Sequence, residues 1–208
     1  MVDLDCIEKP KFPLSYGTGR FRLELCDSRY TQQIVDLRND PRLNEFIHHD
    51  PLNVEAQERF LDAELDRRDG FNFAILVDGC FAGTTALMNV RSGTAEYGRF
   101  VMSEGPLRRF APAATLGCLS FGFEILGLEE VYCRIIRENQ RVRQFHERMG
   151  WNRASRYGRE VPFHGARRVL VGYSVNVSAW PDMFERHRAI LMEFAAGGAP
   201  SERDGSGA

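Results

Sequence analysis

Lysine is nearly missing from this chain. Only Lys9 and Lys11 occur, so 25 of the 27 basic residues are arginine, a bias that reads as GC-rich coding rather than function. An excess of either charge is also lacking: 29 acidic residues face 27 basic ones, for a net charge of -2 and a pI near 6.2. That balance excludes an electrostatic nucleic-acid or membrane binder. No apolar run approaches the roughly 18–20 residues that span a bilayer. The opening MVDLDCIEKPKFP carries acids where an export signal needs an apolar core, so a cytoplasmic location is expected. The five cysteines, at 6, 26, 80, 118 and 133, show no CxxC and no Cys/His pair at zinc spacing. Their scatter through apolar segments predicts reduced core thiols and no metal site.

What is present is the composition of a globular protein: 208 residues, 43% hydrophobic, 27% charged and 11% aromatic. FRLEL (21–25) alternates as a half-buried strand does, and Ile34, Val35 and Leu37 sit at helical spacing before the Asn39-Asp40-Pro41 breaker. A polar loop carrying His48 and His49 follows. NVEAQERFLDAELDRR (53–68) reads as a helix capped by Asn53. FNFAILV (71–77), CFAGTTALMNV (80–90) and TAEYGRFVMS (94–103) read as strands joined by hairpin turns at Asp78-Gly79 and Arg91-Ser92-Gly93.

Residues 112–126 are apolar nearly all round and predict a helix covered on several sides. EVYCRIIR (130–137) is a strand, NQRVRQFHERMG (139–150) an amphipathic helix ended by glycine, and RRVLVGYSVNV (167–177) a last strand. An apolar stripe over 181–194 predicts one more helix, fit to cap the domain or to form a homodimer contact. GGAPSERDGSGA (197–208) is a polar tail expected to be disordered. With no internal repeat and no linker, the order gives one mixed α/β (α+β) domain over 20–178. An N-terminal extension (1–19), a C-terminal helix (179–196) and the tail flank it.

Two segments carry a family likeness. NQRVRQFHERMGW (139–151) and FEILGLEEV (123–131) resemble the N-x-x-[AS]-x-x-x-Y-E-K-x-G-F helix and the F-E-E-L-G-L-x-x-V junction of the GNAT acetyltransferase superfamily. The closest flavour is that of enzymes acting on nucleotide-linked amino sugars or on ribosomal-protein N-termini. The resemblance implies a twisted, mainly antiparallel sheet with helices on both faces. Its fourth and fifth strands, counted from 21–25, splay apart. Acetyl-CoA, the implied co-substrate, would lay its pantetheine in that gap against main-chain groups of Val101, Met102 and Ser103, with no metal required.

The pyrophosphate loop departs from the family. Its R-G-x-G-x-A falls on Pro106–Ala111 and loses both glycines, while a slide of two residues gives Arg108-x-x-Ala111-x-Ala113 with Pro112 inside. Proline brings no N–H to a phosphate. Arg108 and Arg109 either reach phosphate with their side chains, beside Phe110 and Ala111, or are solvated surface arginines.

Acyl transfer to an amine needs a neutral amine, a stabilised oxyanion and a proton for the departing thiolate, whose pKa of about 8.5 makes a dedicated acid helpful rather than indispensable. Helical spacing puts Asn139, Val142 and His146 on one face, with Phe145 and Met149 toward the core. The resemblance places that face at the thioester: His146 stands where the family has its tyrosine acid, and Asn139 and Val142 would line the pantetheine. The alternative for His146 is a half-buried, hydrogen-bonded histidine. Glu96 is the candidate base, its alternative being a strand residue paired with Arg99 or another arginine. His48, His49 and Asn89, more weakly Phe163 and His164, are candidates for the acceptor side. The expected reaction is acetyl transfer to the amino group of a small molecule, foremost an amino sugar. The alternatives are protein N-terminal acetylation, a carrier-protein acyl donor, and a GNAT-fold domain without catalysis.

Overall fold

The computed structural model describes residues 14–15, 21–47 and 51–195, with side chains as far as 189. His48, His49, the polar tail and all of the N-terminal extension but 14–15 lie outside the described residues. Leu14–Ser15 forms a short strand β1, paired to β2 (Phe21–Leu25), where the alternation read from the sequence buries Phe21 and Leu23. The hairpin turns form as their residues dictate. Asp78 and Gly79, then Ser92 and Gly93, take positive φ, the conformation that matches the twist of paired strands. They join β3 (Phe71–Val77), β4 (Cys80–Arg91) and β5 (Thr94–Met102).

One nine-stranded sheet results, in the order β1-β2-β3-β4-β5-β6-β9-β7 with β8 paired to β9. Its other members are β6 (Glu130–Ile136), β7 (Asn152–Arg153), β8 (Arg159–Phe163) and β9 (Ala166–Asn176). Every pairing is antiparallel except β5 with β6. The short β7 and β8 are not evident in the sequence reading. Gly172 allows the first to form close by: a Cβ there would lie 2.4 Å from the Ala154 carbonyl, so only glycine lets the 154–157 turn cross β9 directly.

Helices cover both faces. On one, α1 (Thr31–Asn39) and α2 (Val54–Asp66) pack Tyr30, Ile34 and Leu61 against Ala74 and Leu76. Asn53 caps α2 as expected, its Oδ1 accepting from the Ala56 N–H at 2.8 Å. On the other lie α3 (Ala111–Ser120), α4 (Gln140–Met149) and α5 (Trp180–Ala195), around Phe73, Leu87, Tyr97, Leu116 and Tyr173. The apolar segment 112–126 is buried from Ala113 through Ser120 and widens into one π-helical turn, Phe121–Ile125. The start of α5 caps the domain: Trp180 and Met183 join the core, and the Trp180 indole N–H donates to Glu124 at 3.0 Å. Cys26, Cys118 and Cys133 are core thiols, and burial raises Cys118 to about 12, whereas Cys80 is exposed beside the β3–β4 turn. No helix among the described residues is long and apolar enough to cross a membrane.

Candidate active site

The parallel β5–β6 pairing lasts three positions, Thr94↔Glu130, Ala95↔Val131 and Glu96↔Tyr132, and then the strands part. Beyond Glu96, β5 carries an irregularity opposite Thr84–Ala86 with Arg99 at φ 49°. Such a bulge bends and twists its strand, here away from β6. The main chain that follows has no pairing with β6, which leaves a gap between the two strands. The Ser103 N–H donates to the Ala82 carbonyl at 2.9 Å. Main-chain groups alternate along a strand, so Val101 and Ser103 turn theirs to β4 and only Met102 presents its N–H and C=O to the gap. This corrects the expectation that Val101, Met102 and Ser103 all do so.

Glu96 sits at the apex of the fork and is nearly buried. Its neighbours Ala95 and Tyr97 belong to the α3–α5 side of the core, so its side chain projects to the α1–α2 face. There Arg134 of β6 grips it bidentately, Nε donating to Oε1 at 2.9 Å and Nη2 to Oε2. Asn89, held at φ 54°, donates its amide to Oε2 at 3.2 Å. The expected pairing with an arginine is therefore real, but the partner is Arg134, not Arg99. Arg99 instead donates to Glu64 at 2.7 Å and to Asn72. A carboxylate offers about four lone-pair directions, and three are occupied here. One, on Oε1, remains for a proton from an amine or a water.

His146 lies on the opposite face, not beside Glu96. Its ring is packed among those of Tyr97, Phe145, Trp151 and Tyr173 and is 2% exposed. A carbonyl can only accept, so the 2.9 Å contact with Val142 O makes Nδ1 the protonated nitrogen. Nε2 is then a bare acceptor, buried without a partner. Burial pulls the pKa down to about 4, against the small opposing effect of the Val142 bond. At neutral pH the imidazole is uncharged and its one N–H is spent. The expected general-acid role is corrected on these grounds: a helix residue pointing into the core has no proton to give the gap. Asn139 caps α4, its Oδ1 accepting from the Val142 N–H at 3.2 Å, which leaves the side-chain amide nitrogen for any ligand contact. Val142 is half-buried with both main-chain groups engaged.

The loop before α3 is a tight turn, Pro106–Phe110, entered through Gly105 at φ 84°. The Arg108 N–H is spent on Gly105 O, at 3.2 Å, and the Ala111 N–H on Arg108 O. These amides cannot serve an anion. Phe110, expected to contact cofactor, is a core residue 1% exposed. The arginines are better placed. Arg108 is half-buried, pairs with Glu104 at 3.4 Å, and has its pKa lowered by burial and by the nearby Arg141 charge of α4. Arg109 is exposed, its guanidinium 5.2 Å from the Phe110 ring centre. Side chains replacing amides at a pyrophosphate make a testable claim. Acetyl-CoA affinity should fall at least tenfold in an Arg108→Ala/Arg109→Ala double variant, and salt should weaken the parent's binding more than the variant's. Equal binding by calorimetry would remove both residues from the site.

On the acceptor side, the β8–β9 hairpin brings His164 to the α1–α2 loop, its Nε2 3.4 Å from Ile47 O, while Phe163 is buried beneath. Both residues of its turn, His164 and Gly165, have positive φ. The signal for this hairpin is the His-Gly pair between VPF and ARRVLV. Arg134 equally escapes the sequence reading, although a lone arginine among apolar strand residues is unusual enough to mark it. Tyr132 on the same face stacks on Tyr157, ring centres 3.9 Å apart. Among the described residues no three His, Cys, Asp or Glu side chains gather as a metal site.

These features match known proteins. A family model described as acetyltransferase (GNAT) domain covers residues 20–152. No curated protein sequence matches the chain. Among solved structures, a nucleotide-linked sugar GNAT, apo FdhC, is similar with a TM-score of 0.71 at 21% identity, over 86% of this chain and 98% of that one. A GCN5-related N-acetyltransferase from Brucella melitensis has a TM-score of 0.71 at 23% identity, over 90% and 97%. Spermidine N-acetyltransferase from Vibrio cholerae, in complex with CoA and spermine, has a TM-score of 0.69 at 16% identity, over 79% and 99%.

Proposed function

The chain belongs to the GNAT acetyltransferase family, and from that premise we propose that it moves an acetyl group from acetyl-CoA to the amino group of a small molecule, foremost a nucleotide-linked amino sugar. The observation that carries this reading is the β5–β6 fork, with the carboxylate of Glu96 at its apex and the main chain of Met102 along its open side. The fold likeness to a nucleotide-linked sugar GNAT supports the choice of acceptor. Acetyl-CoA supplies the activated thioester, whose sulfur leaves as the amine nitrogen bonds to the acyl carbon.

The residues divide the rest of the work. Glu96 takes the amine proton on its remaining lone pair, directly or through one water, and then returns it to solvent. Arg134 and Asn89 fix the carboxylate through three hydrogen bonds. The Met102 N–H donates to the acyl oxygen as negative charge builds there, the backbone-amide form of oxyanion stabilisation. The thiolate takes its proton from water. A carrier-bound acyl donor is the second reading, favoured by the loop amides already spent on carbonyls.

Calorimetric titration with acetyl-CoA, followed by thiol release with UDP-glucosamine as acceptor, tests the proposal. Micromolar binding and acceptor-dependent thiol release are expected. Binding of a pantetheine-loaded carrier protein without binding of acetyl-CoA would replace it by the second reading.

A further inference from the structure

Four aromatic rings close a circle beside the gap between β5 and β6. Phe100 of β5 stacks on Phe145 of α4, ring centres 6.3 Å apart and planes within 8°. Behind this pair, Tyr97 lies 5.8 Å from Phe100 and 6.0 Å from His146, and His146 meets Phe145 edge-on at 5.4 Å. Tyr97 and His146 are each 2% exposed, whereas Phe100 and Phe145 are only partly buried. The bulge at Arg99 makes the circle possible. Plain alternation from Tyr97 would turn Phe100 to the α1–α2 face. Instead Arg99 takes that face, against Glu64 and Phe60, and Phe100 and Met102 rejoin Tyr97 on the other.

Phe100 stands on one of the two parted strands, and Phe145 on the helix that follows the other. Their stack therefore joins the two sides of the gap, two residues, or about 7 Å, along β5 from Met102. The rings behind it are fixed: the Tyr97 hydroxyl is bonded to that of Thr115 at 3.1 Å, and His146 donates to Val142 O. A packed aromatic wall of this kind makes no room for an extra methylene without displacing side chains.

We propose that Phe100 and Phe145 form the end wall of the acyl pocket and restrict the donor to an acetyl thioester. This rests on the acetyltransferase reading and deepens it by naming the residues that select the acyl group. The carbon under attack has four substituents. In that reading its oxygen faces Met102 of β5, the incoming nitrogen faces Glu96, and the sulfur leads toward the turn before α3. The acyl chain is left the side of α4, where Phe145 stands, and a chain longer than a methyl meets the rings.

The test compares the whole chain with its Phe145→Ala and Phe100→Leu variants. Thiol release with UDP-glucosamine is followed for acetyl-, propionyl- and butyryl-CoA. One extra methylene in a fitted pocket is worth about 10–200-fold, so the parent should use acetyl-CoA at least tenfold better than propionyl-CoA in kcat/KM, and butyryl-CoA less well still. Phe145→Ala should bring all three donors within a few-fold of one another, and Phe100→Leu should move the ratios the same way by less. Each ratio is taken within one protein, so a general loss of fold does not mimic the effect, and Phe100→Leu decides if Phe145→Ala fails to fold. A parent that uses butyryl-CoA as well as acetyl-CoA, or ratios that neither substitution changes, overturns the proposal.

Binding gives a second readout that needs no acceptor. By calorimetry, butyryl-CoA should bind the parent at least tenfold more weakly than acetyl-CoA and bind Phe145→Ala about equally well. If that pattern holds while no amine is acylated, the wall stands and the acetyl-transfer reading falls. If acetyl transfer is observed while CoA, acetyl-CoA and butyryl-CoA all lose affinity together in Phe145→Ala, the ring lines the pantetheine; the wall falls and the transfer reading stands.

Discussion

Replacing Glu96 by glutamine is expected to lower kcat/KM for the amine acceptor by about 10²–10³, the usual scale for loss of a general base. The amide side chain keeps the size of the carboxylate and one oxygen for Arg134, so the fork should stay formed and acetyl-CoA binding should change little. Arg134→Gln separates positioning from proton transfer. It leaves the carboxylate in place but removes its bidentate grip, so kcat should fall while acetyl-CoA binding stays near the parent's. Steady-state rates with thiol release as readout, beside calorimetric titration with acetyl-CoA, check both. A Glu96→Gln enzyme with the parent's rate would return Glu96 to a purely structural ion pair.

The second large effect is on stability, not rate. An unfolded histidine titrates near 6.5, whereas buried His146 titrates at about 4. Between those values the unfolded chain binds a proton that the folded chain refuses. Stability is therefore full above pH 6.5 and falls as the pH drops toward 4. The shift corresponds to about 3 kcal/mol in total, with roughly 2 kcal/mol already lost at pH 5. His146→Leu removes the titrating group from the pocket, so its urea midpoint should change far less between pH 7 and pH 5 than the parent's. Because the imidazole has no proton for the gap, the same variant should keep kcat within a few-fold at pH 8. Parallel acid loss in both proteins would mean that the ring is open to water. A collapse of kcat at pH 8 in a folded variant would restore the acid role.

The place of this histidine turns on the orientation of helix α4. Spacing correctly groups Asn139, Val142 and His146 on one stripe, and Asn139 does cap the helix. Spacing does not say which way the stripe turns. Met149 and His146 are both buried under α4, while Phe145 is only partly covered. An imidazole is polar in a hydropathy reading but small and flat enough to fill an aromatic pocket once its N–H finds a carbonyl one helical turn back. In the loop before α3, the loss of both family glycines is legible as a departure. What replaces them is not, because it depends on a turn that spends its own amides.

Local chemistry alone determined much of this protein. Positive-φ pairs at Asp78-Gly79 and Ser92-Gly93, the caps Asn53 and Gly150, and the two-residue alternation of 21–25 are short-range effects, complete within a few residues. They fixed the elements and, with the GNAT-like segments, the fold. The pairing of Glu96 with Arg134, 38 residues apart, was decided only by the tertiary structure, as was the core-facing turn of His146. Each depends on which charges and rings arrive from distant segments. Whether a buried charge is paired or a ring is covered is a property of all its neighbours at once, and no window along the chain contains them.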